Sequence, residues 1–267
     1  MSTITCRFVY GERLFGDVYA VDIKVLSGKF PHSIGTIKQI KSQNHALPVP
    51  IHYAETCKDK GEYRLLFNTS TAKEVNCLQL VEDLQNRLIE LEALDYSFFE
   101  LQSNARKVLF LMDELAIFES LAIIHFLLFK KIEIYLYVKT EQKQEEMMSY
   151  VQNLLPNCIK FISTYSYQEL LPILDEQLIG TRLFISGTWP MISEIKKIAY
   201  TAGFTDEEIQ YKGIGRKHEN VFCVKCYRLN RKQNEYEIAC EHCNTTLDVS
   251  THFSRRLDAY LGYIKLV

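Results

Sequence analysis

Apolar residues recur with more than one period along this chain, and the period becomes regular from Arg106 onward, where short apolar runs alternate with longer ones. Lys107-Val-Leu-Phe-Leu-Met112 is a buried strand by its continuous apolar run, and Ile117 to Lys130 is long enough for a helix, in which His125 packs rather than reacts. Ile132 to Val138 predicts a second strand, Glu145 to Leu155 a second helix ended by Pro156, and Ile159 to Ile162 a third strand. Ser166 and Glu169 have the spacing of a capping box for a helix through Leu178, although Pro172 removes a backbone donor one turn in. Arg182 to Ser186 predicts a fourth strand, and the helix after it carries Pro190 near its start and Gly203 just past its end. Strand and helix alternating at this pace predict a doubly wound parallel sheet over 104–215, with helices on both faces and any ligand at the C-terminal strand edge.

Residues 1–103 are less regular. Thr3 to Tyr10, Asp17 to Leu26 and Glu62 to Phe67 predict strands, being rich in β-branched and aromatic residues between turn residues. Val75, Leu78, Val81, Leu84, Leu88 and Leu91 fall at helical spacing and predict an amphipathic helix over Ala72 to Leu94, so this region reads as α+β. Its leucine stripe is core or partner contact and carries no chemistry.

The last segment, 216–267, carries the strongest chemical signal: Cys223, Cys226, Cys240 and Cys243 form C-x2-C-x13-C-x2-C. A C-x2-C step lets one tight turn present two sulfurs to one ion, and two such steps fill a tetrahedral metal site. The excursion from Tyr227 to Ala239 is long enough for a hairpin, with Asn230, Lys232 and Asn234 suiting a turn between Tyr227-Arg228-Leu229 and Tyr236-Glu237-Ile238. The other cysteines, Cys6, Cys57, Cys77 and Cys158, are scattered without pairing logic, which fits a reducing compartment, and cytoplasm is the expected location.

Composition narrows the picture further. With 47% hydrophobic residues, the chain can build one large or two modest cores plus a small metal-stapled module. The longest apolar stretch, Leu115 to Phe129, is interrupted by Glu119 and His125 and is too short to span a bilayer, and no N-terminal apolar run ends in a cleavage site. A net charge of −2 gives no global pull toward nucleic acid or anionic membrane.

Two segments resemble known families. Leu183-Phe-Ile-Ser-Gly-Thr-Trp-Pro-Met-Ile192, followed by Ala202-Gly203-Phe204, resembles the end of the nicotinamide domain of ferredoxin-reductase-type flavoproteins, where a strand runs into a Cys-Gly-Pro-x-x-Met turn and a helix. Gly187 and Met191 keep that register, while Ser186 replaces the cysteine and Thr188 the proline. The chemistry departs from that family. A nucleotide pyrophosphate needs a glycine-rich turn after the first strand, and here the turn is Asp113-Glu114-Leu115, whose carboxylates repel phosphate. The first 103 residues hold no Arg-x-Tyr-Ser/Thr flavin motif, and the chain has no C-x4-C-x2-C iron-sulfur run. A reductase-derived scaffold that binds neither NAD nor flavin is the expectation.

Phe222-Cys-Val-Lys-Cys226, Ala239-Cys-Glu-His-Cys243 and His252-Phe-Ser-Arg-Arg-Leu-Asp-Ala-Tyr-Leu-Gly262 resemble the C-terminal domain of the DmmA-like subunits of dimethylamine monooxygenase. That resemblance implies membership of a multisubunit, haem-dependent oxidative N-demethylase, with the other subunits as partners. It does not assign the haem or the oxidation to this subunit, which is expected to be accessory and non-catalytic.

Zinc and iron thiolate sites are both tetrahedral. Rubredoxin-type iron sites have a longer segment between pairs and a glycine after the second cysteine of each pair, whereas Tyr227 and Asn244 stand there, which favours zinc with iron as the rival. Nucleic-acid binding is the weaker alternative. Arg216, Lys217, Lys225, Arg228, Arg231 and Lys232 cluster with Arg255 and Arg256, but Glu219, Glu235, Glu237, Glu241 and Asp248 interrupt the field. His242 lies between paired cysteines and reads as exposed, and His218 has no convincing partner. His252, Phe253, Arg255, Arg256 and Tyr260 follow the second pair closely and are candidate docking residues, since arginine and aromatic side chains are enriched in interface hot spots. The competing reading buries Phe253, Leu257 and Leu261, at helical spacing, as one face of a final helix.

Overall fold

The computed structural model describes residues 3–40, 45–57, 60–70, 88–140, 145–217, 219–232, 236–254 and 256–265. It divides into two compact units, Met1–Ile214 and Gly215–Val267.

The N-terminal part of the first unit is a closed six-stranded barrel rather than the α+β region expected. Its strands are β1 (Ile4–Phe15), β2 (Val18–Ser27), β3 (Ile34–Ile40), β4 (His45–Cys57), β5 (Glu62–Asn68) and β6 (Leu88–Ala93), in the order β1-β2-β5-β4-β3-β6, with β6 closing on β1. All six pairings are antiparallel. Ile4, Cys6, Val21, Ile23, Ile37, Ile51, Leu65, Phe67, Ile89 and Leu91 fill the interior. Of the helix expected over Ala72 to Leu94, 71–87 lie outside the described residues, and Leu88–Ala93 is strand β6. There Ile89 and Leu91 point inward while Leu88 and Glu90 are exposed, a period of two that the leucine stripe concealed. Pro48 and Pro50 lie inside β4, and prolines in an apolar run argue against a strand on sequence alone.

The α/β part follows the predicted alternation closely. Strands β7 (Lys107–Asp113), β8 (Glu133–Lys139), β9 (Ile159–Ile162), β10 (Thr181–Thr188) and β11 (Ile209–Ile214) form a parallel sheet in the order β11-β10-β7-β8-β9. The helices are α1 (Ile117–Phe129), α2 (Glu145–Leu154), α3 (Tyr167–Asp175) and α4 (Trp189–Thr201). Ser166 caps α3 by accepting the Glu169 amide at 3.4 Å, and α3 stops at Asp175, short of Leu178. Helix α4 ends as Gly203 predicted. Gly203, at φ +90°, donates to Tyr200 O while Phe204 donates to Ala199 O, the paired bonds of a Schellman cap.

Strand direction of travel reverses between β7 and β10, so α1 and α2 cover one face and α3 and α4 the other. Helix α1 is buried nearly all round, through Ile117, Phe118, Leu121, Ala122, Ile123, Ile124, Phe126 and Leu127. It shares one core with Val108, Phe110 and Met112 of the sheet and with Phe15, Val18, Ala20, Ile34, Ala54 and Leu66 of the barrel. The same seam holds a polar chain. The Thr36 hydroxyl lies 3.2 Å from His52 Nδ1, His52 Nε2 lies 3.0 Å from Glu119 Oε2, and Lys212 Nζ reaches that oxygen at 2.5 Å. Burial alone would raise the Glu119 carboxyl, but the His52 hydrogen bond and the Lys212 ammonium hold it at about 2. Burial lowers the His52 pKa despite Glu119, so the ring is neutral, accepting from Thr36 and donating to Glu119.

The second unit is a five-stranded sheet of β12 (Asn220–Cys223), β13 (Leu229–Arg231), β14 (Glu237–Ala239), β15 (Thr246–Ser254) and β16 (Ala259–Ile264), ordered β13-β12-β16-β15-β14. No final helix buries Phe253, Leu257 and Leu261. Phe253 and Tyr260 face each other across the β15–β16 hairpin, whose turn holds Asp258 at φ +48°, and a cross-strand ring pair mimics helical spacing. Among the described residues, no helix is long and apolar enough to cross a membrane.

His125 donates or accepts at 3.1 Å with the Tyr150 hydroxyl, and burial lowers its pKa to about 4. His52 and His125 thus bind a proton more readily when unfolded than folded. Stability should be full above the unfolded value of about 6.5 and should fall as pH drops through it. The melting temperature is expected to be lower at pH 5 than at pH 7, with a shallower slope for His125→Gln; an unchanged slope would remove His125 as a source.

Candidate metal centre

Each cysteine pair sits in its own tight turn. Cys223 donates its amide to Arg228 O at 2.9 Å while Tyr227 donates to Cys223 O at 2.9 Å. Cys240 donates to Thr245 O at 2.9 Å and Asn244 to Cys240 O at 2.9 Å, so the two knuckles are copies of one turn. Tyr227 and Asn244 hold the same left-handed conformation, at φ +59° and +56°. Only glycine enters that region freely, so a tyrosine there is an uncommon choice.

The hairpin expected between Tyr227-Arg228-Leu229 and Tyr236-Glu237-Ile238 does not form. Each knuckle is itself the turn of a hairpin, so β13 pairs with β12 and β14 with β15, leaving β13 and β14 at opposite edges of the sheet. Asn230 is a cross-link and not a turn residue. Buried to 2% exposure, its Nδ2 donates to Val221 O and Arg228 O, and its Oδ1 accepts the Glu241 amide at 2.8 Å, joining the knuckles. His242, exposed as expected, lies 3.3 Å from Leu229 O across the same gap.

The four sulfurs lie within 4.8 Å of one another, with Cys223 and Cys243 at 3.8 Å and Cys226 and Cys240 at 3.6 Å. A tetrahedron with metal–sulfur bonds of about 2.3 Å has edges of about 3.8 Å, so these positions fit a four-thiolate metal ion. As bare thiols they cannot all ionise. Burial and the neighbouring sulfurs push Cys226 up to about 12, while the Thr245 hydroxyl and amide bring Cys243 down to about 6. Burial opposes ionisation of Cys240, but the His242 and Cys243 amides outweigh it and its pKa falls. A divalent cation removes this conflict by accepting all four as thiolates.

The structure spreads the other predicted site residues differently. Phe253 and Tyr260 are half-buried within the ribbon: their rings meet at 5.2 Å, Lys217 lies over Phe253, Lys232 lies 3.8 Å over Tyr260, and the Tyr260 hydroxyl donates to Glu219. His252 and Arg256 are exposed, while Arg255 and His218 lie outside the described residues. Lys217 is paired with Asp258 and Lys232 with Glu219, each at 2.7 Å, which breaks up the basic cluster.

At the C-terminal edge of the parallel sheet, carboxylates occupy the turn after β7. Asp113 Oδ1 accepts the Leu115 amide at 3.2 Å, and buried Glu114 accepts the Thr140 hydroxyl at 2.6 Å. A side chain at Gly187 would meet Met191 Cε at 2.5 Å and Asp113 Cβ at 3.1 Å, so the shared Gly-Met register is a close-packing requirement.

Fold and site define a ferredoxin-reductase-like α/β protein carrying a four-thiolate ribbon. Solved structures agree on the fold: phthalate dioxygenase reductase (TM-score 0.54, 9% identity, 86% of this chain and 76% of that one) and the ferredoxin reductase of carbazole 1,9a-dioxygenase (TM-score 0.51, 13% identity, 80% and 70%). The FAD/NAD-binding domain of nitric oxide dioxygenase from Vibrio cholerae O1 biovar El Tor is similar as well (TM-score 0.50, 12% identity, 80% and 99%). Residues 220–263 match the family model of the dimethylamine monooxygenase subunit DmmA-like C-terminal domain. The chain is also similar to the heme-dependent oxidative N-demethylase delta subunit of Ectopseudomonas mendocina (strain ymp), 32% identical over 89 residues, which are 33% of this chain. The match spans about half, 51%, of that relative's length.

Proposed function

We propose that this chain is a cytoplasmic, non-catalytic subunit of a multisubunit haem-dependent amine monooxygenase of the dimethylamine N-demethylase kind. Its reductase-like unit serves as scaffold, and its four-cysteine ribbon holds zinc for structure and docking. The observation that carries this reading is the convergence of Cys223, Cys226, Cys240 and Cys243 within the very segment that matches the DmmA-like C-terminal domain. The scattered Cys6, Cys57 and Cys158, none of them in a disulfide, support a reducing compartment.

One observation favours a second reading, an iron-bearing electron carrier at the same cysteines. Tyr227 and Asn244 adopt the left-handed turn conformation for which glycine is the usual residue, so the lack of glycine there does not argue against iron. Electron transfer would also suit a reductase-like scaffold. Protein purified without added metal is expected to hold zinc and to be colourless; stoichiometric iron with a visible thiolate-to-iron band would establish the second reading instead.

The scaffold is proposed to bind neither nicotinamide nor flavin. A pyrophosphate at the turn after β7 would need the helix-start amides, and Asp113 already takes the Leu115 amide with a negative charge beside it. Titration with NADH or NADPH by calorimetry should give no saturable heat, and purified protein should show no flavin absorbance. Saturable binding would overturn this part of the reading.

Docking is proposed to run through His252, Phe253, Arg255, Arg256 and Tyr260. Two of them are held by the ribbon: Tyr260 pairs with Val221 beside the first knuckle, and Phe253 pairs with Tyr260. Replacing Arg255 and Arg256 by Ala is expected to abolish co-purification with the oxygenase subunit while metal content and melting stay unchanged. Full assembly by the double variant would exclude this surface.

A further inference from the structure

The two knuckles repeat one another in their backbone turns, and one side-chain difference between them bears directly on a sulfur. Arg228 and Thr245 occupy matching places, two residues past the second cysteine, and each gives its backbone amide to that cysteine's sulfur, Cys226 or Cys243. Thr245 adds a side chain. Its Oγ1 lies 3.3 Å from Cys243 Sγ and 2.9 Å from the ammonium of Lys225, a residue of the opposite knuckle between Cys223 and Cys226. The matching residue in the second knuckle, His242, turns instead to Leu229 O.

The direction of these bonds follows from the inventory of protons. An ammonium can only donate, so Thr245 Oγ1 accepts from Lys225; a metal-bound Cys243 is a thiolate, which can only accept, so the hydroxyl proton then goes to the sulfur. Lys225 therefore acts on Cys243 through Thr245, from the other side of the metal site. Four thiolates around a divalent ion carry a net charge of −2, and Cys243 is one of the two partly exposed sulfurs, whereas Cys223 and Cys240 are fully buried. An exposed, electron-rich sulfur is where water and competing chelators first reach the ion. A hydroxyl donor backed by a cation at that point lowers the sulfur's charge and ties the two hairpins together across the ion.

We propose that Lys225 and Thr245 form a cross-knuckle clamp that sets how tightly and with what electronic character the ribbon holds its metal. The proposal rests on the metal-binding reading above and assigns two positioning residues that the cysteine pattern does not include. Groups that orient ligands in this way are typically worth about 10–100-fold in metal affinity.

The test uses the full chain loaded with zinc, competed against a chromogenic chelator, and in parallel the cobalt-substituted chain. Thr245→Val removes the hydroxyl but keeps the amide and the shape; Lys225→Met removes the cation; Thr245→Ser restores the donor. The first two are expected to weaken zinc retention about 10–100-fold and to shift the sulfur-to-cobalt charge-transfer band to lower energy, with Thr245→Ser close to the parent. The band reports sulfur charge, which a purely structural role would leave unmoved. Parent-like retention and an unshifted band in Thr245→Val would overturn the clamp. If the unmodified chain takes up neither zinc nor cobalt, the metal reading itself fails, and the clamp falls with it.

Discussion

Four sulfurs held within 4.8 Å of one another set the terms for everything after Gly215. The ribbon's core consists of five buried residues, Val221, Cys223, Ile238, Cys240 and Leu247, and two of them are cysteines. A unit this small has little apolar surface to bury, so a cation held by the four cysteines would take the place that a larger hydrophobic core would fill. The topology follows from that constraint. Because each knuckle is the turn of its own hairpin, the hairpins are joined through β16, which pairs with both β12 and β15. Asn230 adds a link near their tips, since its side-chain bonds run to backbone groups of both hairpins.

The first unit has the packing of the reductase-like fold, with carboxylates at the turn after β7. A side chain at 187 would meet the end of Met191 and Asp113 Cβ at 3.1 Å, so Gly187 sits in close packing. The turn after β7, by contrast, is under no packing demand to stay glycine-rich. Its carboxylates find partners inside the chain, Asp113 on the Leu115 amide and Glu114 on the Thr140 hydroxyl, so the helix start is already capped by negative charge. A fold can be shared at about a tenth sequence identity, since fold lives in packing and function in a few polar positions.

How much of this was legible in the sequence depended on how each element meets its surroundings. Strands β7 and β10 are buried on both faces and read as apolar runs, and α4 announced both its ends through Pro190 and Gly203. The barrel was half legible: Thr3 to Tyr10, Asp17 to Leu26 and Glu62 to Phe67 fall on β1, β2 and β5, but β4 carries Pro48 and Pro50, and Leu88 and Leu91 continue a helical stripe into what is a strand. Cysteine spacing marked the metal ligands outright. It could not mark connectivity, so Asn230 and Lys232 read as turn residues when one cross-links the knuckles and the other pairs with Glu219. Thr245 was silent for a related reason: a threonine near a cysteine pair carries no pattern until the fold brings Lys225 to it.

The seam between barrel and sheet makes the division of labour physical. Thr36, His52, Glu119 and Lys212 come from β3, β4, α1 and β11, so a single polar chain crosses from barrel to helix to sheet. Placing a histidine and a carboxylate there carries a desolvation cost that an apolar seam would avoid. What offsets it is complete pairing: neutral His52 uses both ring nitrogens, and Glu119 receives His52 and Lys212 on one oxygen. Such a chain has one satisfying arrangement, whereas the apolar surface of α1, nearly featureless around its circumference, would tolerate rotation or sliding against the barrel. The polar chain thus specifies the register that α1 alone leaves loose.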